Sequence, residues 1–131
     1  SLNYHGNVAH GSGSNGRDLA LSDDGTKVYA ASGSPYNFNV FNTTTMALVQ
    51  TLAAEAYPNA AEVGPHGIFY GGIDGYGTPA DVWAYDQGGN QIANYSFGSL
   101  RPRQLVVSSD GSRLMGAIGV DPLRVVFLST E

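Results

Sequence analysis

The residues able to do chemistry in this chain are few, and most of them sort into turns. The histidines are His5, His10 and His66. His5 and His10 are an odd number of residues apart, so on a strand they face opposite sides. His66 falls in a different turn, and a three-histidine metal site is not expected. With no cysteine, the chain has no disulfide, thiol nucleophile or thiolate site. No G-x-S-x-G elbow and no Ser-His-Asp set can be assembled. Asp74, Asp81 and Asp121 lie in neighbouring loops and could pair for glycoside hydrolysis, but no spacing fixes their separation. Residues 11–16, "GSGSNG", spell G-x-G-x-x-G but lead into a β run instead of a helix. They read as a flexible loop and not as a dinucleotide cradle. "SDDGT", "SSDGS" and "DQGGN" are tight turns, since no calcium-loop spacing of carboxylates follows them. Asn42 and Asn94 fit the N-x-S/T glycosylation pattern.

What remains is arginine, tyrosine and a few polar residues in loops. Arg17, Asp18, Tyr36, Tyr57, Asn59, Tyr76, Arg101, Arg103 and Arg124 are the candidate binding residues. Rigid aromatics beside arginine are common at binding surfaces. Asp18 and Asn59 could also serve a metal hydrolase, although Arg17 and Arg103 beside the equivalent strand starts weigh against that. No catalytic set, metal ligand set or cofactor is assigned.

The elements that position these residues come from an internal repeat. "LALSDDGTKVYAA" at residues 19–31 returns as "LVVSSDGSRLMGA" at 105–117, Gly25 matching Gly111. Halfway between, "AAEVGPHGIFYGG" at 60–72 keeps the form with Gly67 in the turn, which is rewritten with Pro65 and His66. The period is therefore about 43 residues. Pro35, Pro79 and Pro122 recur at the same interval, each before a β run, and Phe41, Tyr85 and Leu128 hold equivalent places. Four short β runs per period, with no helical apolar stripe, predict an all-β chain of four-stranded antiparallel β-propeller blades.

"LALSDDGTKVYAA" followed by "FNVFNTTTMALVQTL" resembles the YVTN/NHL-type propeller repeat. The first and third repeats match that pattern well, and the second departs at "EVGPHGIFYGG". The resemblance implies architecture; such propellers serve as enzymes, binding modules and surface proteins alike.

With strands labelled A to D outward from the central channel, the expected order is D-ABCD-ABCD-ABC. Residues 1–10 are a candidate strand D for the last blade, blade one spans 17–52, blade two 59–97 and blade three 102–131. Three blades are too few to close a ring of 4–8. A head-to-tail homodimer would close six blades with two-fold symmetry; a piece of a longer propeller or an open assembly are the alternatives.

The A–B and C–D turns are short, so the longer D–A and B–C loops form the richer face. They hold three of the arginines, with Arg124 just after its loop. The chain is 131 residues with 13% charged, half of the ~25% usual, and a net charge of −5. That balance argues against nucleic acid, and no apolar run is long enough for a membrane helix. The hydroxyl- and amide-rich surface suggests an extracellular or periplasmic protein. The expected function is a non-enzymatic module binding a protein, a carbohydrate or an anionic ligand on the loop face. The alternatives are a self-assembling surface protein or a propeller hydrolase or lactonase.

Overall fold

In the computed structural model, residues 3–4, 6–7, 16–32, 35–74, 80–98, 101–118 and 124–130 are described. They form three antiparallel sheets of eleven strands and one 3-10 turn, Pro65–Gly67. The first sheet is β1 (Gly16–Leu21), β2 (Lys27–Ser32), β3 (Asn37–Asn42) and β4 (Leu48–Ala53), paired in chain order. The second is β5 (Pro58–Val63), β6 (Phe69–Ile73), β7 (Val82–Tyr85) and β8 (Gln91–Tyr95). The third is β9 (Pro102–Val107), β10 (Arg113–Ile118) and β11 (Arg124–Ser129). These are the A, B, C and D strands of two blades and the A, B and C strands of a third. Of the predicted strand D at 1–10, Asn3, Tyr4, Gly6 and Asn7 carry no strand, and the rest lies outside the described residues.

Each blade repeats the same joints. Gly25 and Gly111 hold φ of 69° and 76°, the left-handed conformation that closes the A–B hairpins. Asp24 Oδ1 accepts from Ser22 Oγ and from both Thr26 N and Oγ1; Asp110 Oδ1 accepts likewise from Ser108 and Ser112. Immediately past strand C, a side chain reaches back to the same hairpin. Thr43 Oγ1 donates to Gly25 O at 2.7 Å and Thr130 Oγ1 to Gly111 O. In blade two the hairpin is the rewritten one, with His66 itself at φ 63°, and the longer Gln87 side chain donates to His66 O at 3.0 Å. The departure in the second repeat is thus a local exchange of partners within one conserved joint.

The core lies between blades. Ala20, Tyr29, Ala31, Phe38, Val40 and Leu52 of blade one meet Ala61, Phe69, Ile73 and Tyr85 of blade two. The Tyr29 and Phe69 rings stack with centroids 4.6 Å apart, and Phe38 meets Phe69 edge-on at 5.1 Å. Phe38 closes on Gly71, where a Cβ would come within 2.3 Å of the ring. The next junction repeats this with Phe97 on Gly116, where a Cβ would fall 2.8 Å from the ring. The Tyr85 hydroxyl donates to Ala53 O across the junction, and burial pushes its pKa up to about 12.

Two outcomes follow. Gly71→Ala forces a methyl into the Phe38 ring and should lower unfolding stability by roughly 1–3 kcal/mol, read by urea denaturation. The turn hydrogen bonds hold the Asp24 and Asp110 carboxyls at about 2, below their ordinary 3.8. A lowered carboxyl pKa stabilises the fold above the unfolded value, and that stabilisation fades as pH falls through 3.8 toward about 2. The melting temperature should therefore fall over that window, and fall less steeply in Asp24→Asn/Asp110→Asn.

Candidate functional site

The D–A ends of the A strands share a feature that positions side chains. Pairing skips one residue in each: Arg17 between Gly16 and Asp18, Asn59 between Pro58 and Ala60, and Arg103 between Pro102 and Gln104. Each skipped residue is the extra one of a β-bulge, which bends the strand and re-aims a side chain. The three are equivalent positions in the three blades. The signal in the sequence was a Gly or Pro opening each strand A immediately before a long polar residue, since Pro within sheets is confined to edges, strand starts and bulges.

Around these bulges the A strands are latched together. Asp18 Oδ2 accepts the Ala61 N–H at 3.0 Å while Oδ1 accepts the Leu19 N–H at 2.9 Å. Asn59 Nδ2 donates to Pro102 O at 2.8 Å, and both inter-blade bonds span 43 residues, one repeat. Asn59 is buried, and its amide is committed to this contact. The Glu62 carboxylate accepts the Val107 N–H; burial raises its pKa, and the Asp18 charge adds to the rise. Asp18 and Asn59, the residues a metal hydrolase would need, are here occupied in holding blades together.

Four of the remaining candidates, Tyr36, Tyr57, Arg101 and Arg103, form a ribbon across the loop face. Tyr36 and Tyr57 pair with ring centroids 5.0 Å apart, and a hydrogen bond between their hydroxyls is the largest cause raising the Tyr36 pKa. Tyr57 sits at φ 62°, a conformation a non-glycine residue holds only when its surroundings enforce it. Its carbonyl accepts the Asp74 N–H at 2.9 Å. Asp74 in turn faces two arginines, with Arg101 Nε 3.1 Å from Oδ1 and Arg103 Nη1 3.3 Å from Oδ2. The Arg101 approach is an ion pair lying off the hydrogen-bond line. Tyr57, Asp74, Arg101 and Arg103 are thereby joined, and Asp74 is the organiser that the choice of arginines and tyrosines overlooked.

Arg17 stands apart, at the start of strand A on the uncovered side of blade one. It is exposed and makes no ion pair among the described residues, and it lines a concavity of about 520 Å³ with Gly16, Asp18, Leu19, Ala30 and Ala31. Arg124 opens β11, exposed, opposite Ile118. Tyr76 and Asp121 lie outside the described residues, as do His5 and His10. Asp81 is buried, and its Oδ2 accepts the Phe97 N–H at 2.6 Å and the Ser96 hydroxyl at 3.1 Å. His66 is exposed on the opposite face. Among the described residues no three His, Asp or Glu side chains are placed to share a metal ion, and no helix is long and apolar enough to cross a membrane.

The fold has a counterpart among solved structures. The chain matches Kuenenia stuttgartiensis hydrazine synthase, a propeller-containing protein, with a TM-score of 0.75 over 86% of its length at 19% identity. It spans 33% of that longer chain. At this identity the likeness is one of fold: the sheets are propeller blades. No protein-family pattern and no curated protein sequence matches the chain.

The Asp74 cluster is testable. Asp74→Asn should lower stability by about 1 kcal/mol in low salt, because two partly exposed arginines lose their shared counter-charge. The difference should shrink in high salt, where the wild-type pairs are screened.

Proposed function

We propose that the chain is a non-enzymatic binding module built as half of a six-bladed propeller, two copies pairing head to tail, with ligand taken on the D–A/B–C loop face. One observation carries the pairing. The two ends of the three-blade wedge each leave an apolar sheet face in water, and the two faces are the two halves of the junction used twice inside the chain. On blade one Leu19 and Leu21 are 66% and 58% exposed. Their equivalents Ala61 and Val63, or Leu105 and Val107, all turn toward a preceding blade. On blade three Val106, Val125 and Phe127 are 48%, 60% and 65% exposed. Their equivalents in blade one are Ala20, Phe38 and Val40, all buried against blade two.

The sizes agree as well. Phe38 rests on Gly71 inside the chain. The register places Val125 where blade one has Phe38, and Ala30 where blade two has Gly71. A second copy would seat a smaller residue on a larger floor. Full burial of each such side chain is worth about 1.5–3 kcal/mol. A closed pair forms two such seams for one loss of rotational and translational freedom, which favours a ring over an open filament. The outer edge of β11, unpaired among the described residues, is where the partner's residues 1–10 would add the fourth strand.

The ring reading extends the YVTN/NHL-type resemblance of the first and third repeats. The tyrosine–arginine ribbon would then recur twice around one mouth, suited to a protein, carbohydrate or anionic ligand. A charge-poor surface rich in hydroxyls and amides fits a place outside the cytoplasm. A self-assembling surface protein is the outcome if the seam repeats without closing.

Light scattering should give twice the 13.7 kDa chain mass. Leu19→Asp and Phe127→Asp should each shift the protein to monomer or aggregate. A soluble, well-folded wild-type monomer overturns the pairing and assigns these faces to further blades of a longer chain; a broad distribution of masses overturns closure.

A further inference from the structure

We infer that each seam between two copies holds a small oxyanion, a carboxylate or phosphate group, between Arg103 of one copy and Arg17 of the other. This rests on the head-to-tail reading and deepens it by naming the ligand chemistry of the mouth.

The inference starts from the bulges. They place Arg17, Asn59 and Arg103 at equivalent points of successive blades. Within the chain, the bulge residue of one blade reaches the backbone just before the bulge residue of the next: Asn59 donates to the carbonyl of Pro102, beside Arg103. Carried across the seam by the same step, Arg103 of one copy comes against Gly16 and Arg17 of the other. Two guanidiniums then flank one point of the rim.

Charge makes that point attractive to an anion. At the first junction the residue after the bulge is Asp18, which supplies a carboxylate to the wall. At the seam the same position is Gln104, which brings no charge. Asp74 is the carboxylate beside Arg103, and Arg101 shares it. Arg17 makes no ion pair among the described residues, and its neighbour Asp18 has both oxygens on backbone N–H groups. Each seam thus gathers Arg17, Arg101 and Arg103 against Asp74 and Asp18, an excess of positive charge in a chain whose net charge is −5. Guanidinium forks present paired donors that match the oxygens of carboxylate and phosphate. The concavity at Arg17, open to solvent on blade one, would become a walled recess when the partner's third blade covers Leu19.

The chain has two seams per pair, and that gives a decisive test. Inorganic phosphate and acetate are titrated by calorimetry into the wild type, Arg17→Gln and Arg103→Gln, with mass measured in parallel. The wild type should bind one anion per chain, with phosphate and acetate affinities separating the two oxyanion classes. Each variant should remain a dimer and lose affinity at least tenfold. Co-expression of the two variants gives mixed pairs in which one seam carries both substitutions and the other neither. Such a mixture should regain about a quarter of the wild-type sites, since half of randomly formed pairs are mixed. A wild-type dimer that takes up neither anion overturns the inference and leaves the ring. Variants that both lose binding, with a mixture that regains none, also overturn it, because the site would then lie within one chain. A monomeric wild type fails the ring itself.

Discussion

A twisted four-stranded sheet has two faces, and a blade can bury only the face that a neighbour covers. That constraint organises this chain. Blade two is covered on both sides, and its residues are correspondingly the most buried: Phe69, Ile73, Val82, Ala84 and Tyr85 are almost inaccessible. Blades one and three each lack one cover, and there the same strand positions leave Leu19, Leu21, Val125 and Phe127 in water. The interior junctions work because a ring lies on a glycine, Phe38 on Gly71 and Phe97 on Gly116. At the uncovered faces, blade one has Ala30 at the position of Gly71, and blade three has Val125 at the position of Phe38.

The A strands do two jobs at once. Their lower turns hold the hairpins shut through Asp24 and Asp110. Their upper ends are bulged, and a bulge both breaks the ladder and re-aims a side chain. Blade two spends that position on Asn59, which ties β5 to β9. Blades one and three carry arginine there. The same local device therefore supplies structure at one junction and charge at the others. The loop face is stiffened from beneath by Tyr57, held in a left-handed conformation, and by Asp74, which gathers two arginines. An array of this kind, fixed by backbone hydrogen bonds, is suited to binding without large rearrangement.

Much of this was legible in the sequence. The 43-residue period anticipated antiparallel sheets of short strands in propeller blades, because turn residues and β runs are local signals. Phe41, Tyr85 and Leu128 do occupy equivalent positions opposite Val28, Phe69 and Leu114. The candidate residues were harder to sort. Asp18 and Asn59 looked like ligands for chemistry, and only the placement of the next blade reveals them as latches. Asp74 was one acid among several until two arginines converged on it. The bulges could have been suspected from Gly16-Arg17, Pro58-Asn59 and Pro102-Arg103, and open sheet faces were expected from three blades that cannot close a ring, though not which side chains they would expose. Exposure of Phe127 is a property of which blade is missing beside it, and no local pattern encodes that.

If blade three of one copy lies on blade one of another, that contact can be trapped covalently, and the absence of cysteine in the chain makes the test clean. In the double variant Ala30→Cys/Val125→Cys the two thiols sit at opposite ends of one wedge, too far apart to join within a chain. In a closed pair each thiol faces its counterpart across a seam. Mild oxidation, read on a non-reducing gel, should convert the protein to a single covalent dimer, with neither single-cysteine variant doing so. Protein that stays monomeric on oxidation, or a ladder of higher species in place of the dimer, would contradict the account.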